Sequence, residues 1–258
     1  MYRSFNFYHK LFIFFIFILL VEGIYSAYYY KISDLVDYLP FKSQSSINPY
    51  IWNENGLVEI LQVSFLIIAL FYIIFLTYKK KFKSESKIFN IFFYLYTIGL
   101  IYYFFEEISW GQHVFFWNTP EFFLNINNQN ETNFHNTTNL LNEVPRTLLL
   151  VWCAFSFMFF YLLRKLKKYN NFKIFILPNE NLKKISLLLI FFVLPDIVVD
   201  KFNLHPGYPI DWITEIRLYE VIDVLTFNFI RLSELHELIF NYYILVHAYY
   251  LKTVYIRK

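Results

Sequence analysis

Six runs of mostly apolar residues bounded by charge constrain this chain more than any other feature of its sequence: roughly Leu11–Tyr30, Leu57–Tyr78, Ile88–Phe105, Thr147–Leu163, Ile185–Val199 and Leu235–Leu251. About 20 apolar residues in one helix cross the roughly 30 Å of hydrocarbon in a bilayer. The expected fold is therefore all-α: a polytopic transmembrane helical bundle of about six spans, forming one integral membrane domain over residues 1–258. Composition agrees, with 57% hydrophobic, 24% aromatic and 17% charged residues and a mean hydropathy of +0.39. These values exclude a soluble globule, and 33 Phe with 23 Tyr exclude a disordered chain. The single Cys153 excludes an intrachain disulfide. Pro195, inside the fifth run, predicts a kink rather than a lipid-exposed break.

The charges alternate along the chain. Segments 1–10, 79–87, 164–184 and 252–258 hold 17 of the 23 Lys and Arg residues. By the positive-inside rule these segments are cytoplasmic, and six spans then put both termini on that side. The acids run the other way: 17 of 20 lie in the segments 34–59, 106–143 and 196–237, at the opposite face. Asp and Glu contribute little to topology, so their concentration there directs the search for function to the outer face. The first run, preceded by Lys10 and followed by Ser26 and Ala27, reads as a retained signal anchor.

The most unusual stretch is FFEEISWGQHVFFWNTPEFFLNINNQNETNFHN, residues 104–136, which opens an outer loop spanning 106–146. Glu106 and Glu107 stand together at the membrane boundary, where a carboxylate is a candidate functional group by default. A helix continuing through the motif would align Glu106, Ser109, Trp110 and His113 on one face, at i, i+3, i+4 and i+7, with Glu107 about 100° away. Gln112, Glu121, Asn133 and His135 add donors and acceptors suited to a neutral polar ligand; the same amides equally suit a turn-rich loop that satisfies its own backbone. Asn130–Thr132 and Asn136–Thr138 match the N-glycosylation sequon.

Other segments offer polar groups at the same level. Glu54 and Glu59 flank the start of the second run, Glu22 lies in the first, and Asp196 and Asp200 close the fifth. Glu234, Glu237 and Asn241 form a stripe expected to face the bundle interior. His247, deeper in the last run, reads as a structural, hydrogen-bonded histidine rather than a proton relay. Before that run, HPGYPIDWITEIRLYEVIDVLTFNFIR predicts an interfacial amphipathic helix.

EEISWGQ followed by TPEFF and NETNFHN, with ENGLVE upstream, resembles a family of multispanning prokaryotic membrane proteins that share an E-E-x-S-W-G-Q motif and an acidic last span. The resemblance covers Glu54–Glu59 and Glu106–Asn136, more weakly Glu234–Glu237, and departs from it at His113, where relatives are expected to carry Arg. It implies a bacterial inner (plasma) membrane and supports the location of the site without naming its chemistry.

Three classes of function fit. In a membrane enzyme acting on a lipid or lipid-linked substrate, Glu106, Glu107, His113, Glu59 and Glu234 would supply acid/base chemistry, while Trp110, Gln112, Glu121, Asn133, His135 and Glu237 would bind substrate. A divalent cation could assist, although no HExxH-type spacing marks a metal site. The alternatives are an ion-coupled transporter and a non-catalytic subunit of a membrane complex. Expected partners are membrane lipids and a small polar or lipid-linked ligand at the outer face. Nucleotides and nucleic acids are not expected, because no Gly-rich phosphate loop occurs and the basic clusters are short and membrane-proximal.

Overall fold

A computed structural model describes residues 2–34, 49–52, 56–79, 87–127, 130–134, 137–138, 144, 147–155, 180–202 and 230–256. Glu54, His135, the fourth expected span beyond residue 155 and the expected interfacial helix lie outside them. The described residues are helical with no strand: α1 (Tyr2–Asp34), α2 (Pro49–Trp52), α3 (Leu57–Tyr78), α4 (Lys87–Glu107), α5 (Gln112–Phe115), α6 (Glu121–Ile126), α7 (residues 147–155), α8 (Glu180–Phe202) and α9 (Leu232–Ile256).

Three of these segments are long and apolar enough to cross a membrane: Tyr8–Ser26, Tyr50–Tyr78 and Phe89–Glu107. Their surfaces explain why. In α1 one narrow face, His9, Phe12, Ile16, Leu19, Gly23 and Ser26, is buried at helical spacing, while Leu11, Phe14, Phe17, Ile18, Val21 and Tyr25 are exposed. In α3 the buried face is Val58, Gln62, Leu66, Ala69, Ile73 and Leu76, with Ile60, Ile67, Phe71 and Ile74 exposed. In α4, Phe89, Phe93, Thr97 and Leu100 are buried, and Ile91, Leu95, Ile98, Tyr102 and Phe105 form an exposed stripe. Helices apolar on both their inner and outer faces are compatible with a membrane protein.

The fifth and sixth expected spans fall within α8 and α9, of 23 and 25 residues. They differ from the first three in composition: α8 carries Asp196, Asp200 and Lys201 after Ile185 and runs without interruption through Pro195, and α9 carries Glu234, His236, Glu237, Asn241, His247 and Lys252. Most residues of α9 from Leu235 to Leu251 are buried, His236, Asn241 and His247 among them.

The chain divides into two compact units, Met1–Glu59 with Leu187–Leu238, and Ile60–Ser186 with Ile239–Lys258. Within the second, α9 is the central helix. Phe65 and Tyr72 of α3 meet Tyr242 and Tyr249, Phe89 and Tyr103 of α4 meet Tyr255 and Phe240, and Lys252 caps the Tyr72 ring at 4.2 Å. Aromatic pairs in these tilted and edge geometries each add about 0.5–1.5 kcal/mol beyond the area they bury. His247 is 1% exposed. Its Nδ1 shares a 3.3 Å hydrogen bond with the Tyr96 hydroxyl, and Trp152 of α7 stands edge-on to its ring at 5.1 Å. It is a hydrogen-bonded core histidine, as its position suggests. Ser186 donates to the Cys153 carbonyl at 2.5 Å, tying the start of α8 to α7.

Candidate functional site

The motif does not continue as a helix. α4 ends at Glu107, and Ser109, Trp110 and Gly111 follow with φ of 46°, 53° and 100°. Three successive left-handed residues, two of them bearing a Cβ, reverse the chain into α5. The face expected from helical spacing is therefore replaced by a turn. Phe116 (φ 57°) and Asn130 (φ 57°) repeat the strain, so the four non-glycine residues with positive φ among those described all lie within 109–130. Strain of this kind persists only where surrounding interactions over-determine it, and here they do.

Glu106, 3% exposed, accepts from Trp110 Nε1 at 2.7 Å on one oxygen and from the Phe134 amide at 2.8 Å on the other. It thus holds both the turn and the far end of the loop. Ser109 Oγ donates to Glu131 Oε2 at 2.9 Å and accepts from Asn133 Nδ2 at 3.0 Å, and the same amide donates to Glu131 at 2.5 Å. Asn127 closes the ring: its Nδ2 donates to the Asn133 backbone and side-chain carbonyls at 2.9 and 2.8 Å, and its Oδ1 accepts from the Glu131 amide at 3.3 Å. A second layer is built on Gln112, which donates to Thr119 Oγ1 at 2.8 Å and accepts from the Thr132 amide at 2.7 Å. Thr119 in turn donates to the Asn130 carbonyl. Ser109, Asn127, Glu131 and Asn133 are all buried.

The loop thus brings Glu106, Trp110, Gln112 and Asn133 of the expected site into one network. It adds Ser109, Thr119, Asn127, Glu131 and Thr132, of which Glu131 and Asn127 are the members that spacing alone gave no reason to choose. Glu107 is half-buried beside Glu106. Glu121 is exposed in the first turn of α6, directly after Pro120; there it complements the helix dipole and is outside the network. His113 lies in α5. Among the described residues, no three His, Cys, Asp or Glu side chains gather as a metal site.

Glu59 and Glu234 belong to the first unit, and both are half-buried. That unit has a polar cluster of its own. Glu22 accepts from Ser26 Oγ at 2.7 Å and from Trp52 Nε1 at 3.4 Å. Arg231 donates through one nitrogen to the Trp52 carbonyl at 2.9 Å and pairs through the other with Glu234 at 3.2 Å. Glu237 is half-buried and Asn241 fully buried, in keeping with an inward-facing stripe. The role of Arg231 was hidden in the sequence because its backbone acceptor, Trp52, lies 179 residues away in the chain. A lysine offers no rigid fork able to serve both acceptors. Arg231→Lys, which keeps the charge, is expected to lower stability by about 0.5–1.5 kcal/mol, discounted toward the lower value by the partial exposure of the pair and read as a fall in the thermal midpoint in detergent.

Neither protein-family models, curated proteins nor solved structures give a match to this chain.

Proposed function

We propose that the chain is a six-span membrane protein with both termini cytoplasmic, belonging to the multispanning prokaryotic proteins that carry the E-E-x-S-W-G-Q motif. We propose further that it is an enzyme acting on a lipid or lipid-linked substrate at the outer face of the inner membrane. The observation carrying this reading is Glu106. It is fixed through both oxygens at the end of a span-length helix, on a strained loop held shut by its own amides. Preorganised polar loops of this kind are what catalysis at a membrane boundary needs, because a site held rigid does not reorganise during the reaction.

In this reading Glu106 is a positioning residue and the half-buried Glu107 is the group that transfers a proton, either activating water or deprotonating an acceptor hydroxyl. Glu107→Gln preserves shape and removes the titratable group. The expected result is at least about a 100-fold loss of turnover, with an unchanged thermal midpoint, followed by mass spectrometry of bacterial lipid extract incubated with the purified protein. Equal turnover by both proteins would remove Glu107 from the chemistry, and none by either would refute the enzyme reading. Topology has its own test: a reporter after Lys258 is expected to read cytoplasmic and one near Gln129 external, and the reverse pattern would overturn the orientation.

A second reading, a non-catalytic subunit of a membrane complex, is favoured by one specific observation. The polar groups of the motif largely satisfy one another, as in a structural loop. It predicts that Glu107→Gln leaves lipid composition untouched.

A further inference from the structure

The loop that carries the network has a second side. Phe115 and Phe116 are 72% and 86% exposed and Phe122 is 62% exposed, and Trp117, Leu124 and Ile126 are exposed beside them. From Ile108 to Asn130 the only charged side chain is Glu121. Two polar side chains of the same segment turn inward, Gln112 and Thr119, which bond to the Thr132 amide and the Asn130 carbonyl, while Asn118, Glu121 and Asn125 are exposed beside the rings. Residues 112–126 therefore form an element anchored to the network through Gln112 and Thr119, with its aromatic rings facing out.

What covers those rings follows from where the surface leads. The exposed stripe of α4, Ile91, Leu95, Ile98, Tyr102 and Phe105, recurs at helical spacing along a segment apolar enough to cross the bilayer. At its end Phe105 stacks on Trp110 at 5.3 Å, and Tyr102 meets the same indole edge-on at 6.2 Å. Gly111 comes next, its α-carbon packed against Trp117 and Phe115, which stack on each other at 5.9 Å. One aromatic surface thus runs from the lipid-facing stripe of α4 onto the loop. Trp and Tyr at the end of a span settle at the boundary between acyl chains and headgroups, and exposed Phe and Leu beside them form the apolar face that an interfacial element buries there.

We propose that residues 112–126 are a membrane-inserted wedge, with Phe115, Phe116, Trp117 and Phe122 seated in the interfacial layer of the leaflet at which α4 ends. This does not depend on the enzyme reading. The wedge is also joined to the network: Phe123 packs edge-on against Phe134 at 5.2 Å, and the Phe134 amide is one of the two donors to Glu106. The bilayer then supports the loop from below, and the Glu106 network lies at headgroup depth.

The test uses the full chain in phosphatidylcholine/phosphatidylglycerol vesicles, with a nitroxide on Phe116→Cys or on Phe122→Cys and Ile98→Cys as the reference within the span. Both wedge positions are largely exposed, so the label displaces little packing, and native Cys153 is fully buried; protein without an added cysteine gives the background. Collision with oxygen, which partitions into lipid, is compared with collision with a water-soluble nickel chelate. Oxygen collisions exceeding nickel collisions at 116 and 122, by less than at 98, are expected. Nickel collisions in excess would show a water-exposed loop and overturn the wedge. Suppression of both at 116 and 122 would show a protein cover, such as a partner or a second copy, and would overturn it equally.

Discussion

Asn133→Asp is expected to destabilise the protein by about 3–5 kcal/mol, the range for leaving a buried charge uncompensated. The substitution changes one atom's identity and almost no volume. Its effect comes from what that atom does: Asn133 Nδ2 donates at 2.5 Å to Glu131 and at 3.0 Å to Ser109, inside a site where Asn133 is wholly buried. A carboxylate there turns a short attraction into a repulsion between two anions, and burial of both residues weakens screening by solvent. Thermal unfolding of the purified variant in detergent checks the prediction. The deficit should narrow on acidification, since protonating either carboxyl restores a donor between the two oxygens. A variant as stable as the parent would mean that Glu131 does not receive this bond.

Gly111→Ala is expected to be nearly as damaging. The φ of 100° lies outside what residues with a Cβ adopt without strain, which alone costs roughly 1–3 kcal/mol. A Cβ would also stand 3.1 Å from the Trp117 ring and 3.2 Å from Phe115, so that the stacked pair has to shift. The same unfolding measurement applies, and a second readout separates this variant from a general loss of stability. The emission of Trp117 should change, because the displaced residue is an indole on the exposed side of the loop.

These two positions also show how far the sequence could be read. α1, α3 and α4 were legible because a membrane helix needs only a local count of apolar residues, and α4 ends where the apolar run meets Glu106 and Glu107. The path beyond was not legible. Helical spacing extrapolated Glu106, Ser109, Trp110 and His113 onto one face, whereas the chain turns left-handed at Ser109. Nothing in the periodicity of residue types encodes a turn maintained by Glu131 and Asn133, 22 and 24 residues away from the serine that they hold. Glu106 and Trp110 do meet, at four residues' separation, but through the turn and not along a helix. The abundance of Asn allows two alternatives, ligand binding or self-satisfaction, and Asn127 and Asn133 bond to one another within the loop. Arg231 with Trp52 is the same problem at greater range: two ordinary residues become a pair only once the fold is known.

The burial of α9 has a consequence for how the protein is made. α1, α3 and α4 precede it in the chain and emerge from the ribosome first, each apolar enough to partition into lipid unaided. α9 is not: its wholly buried His247 bonds to the Tyr96 hydroxyl, a partner that a lipid environment would not supply. Its packing therefore awaits the surfaces of α3 and α4 that Tyr242, Tyr249, His247 and Tyr255 contact. Assembly of these helices then follows the order of translation, and a nascent chain paused before α9 would leave the faces of α3 and α4 that mate with it still bare.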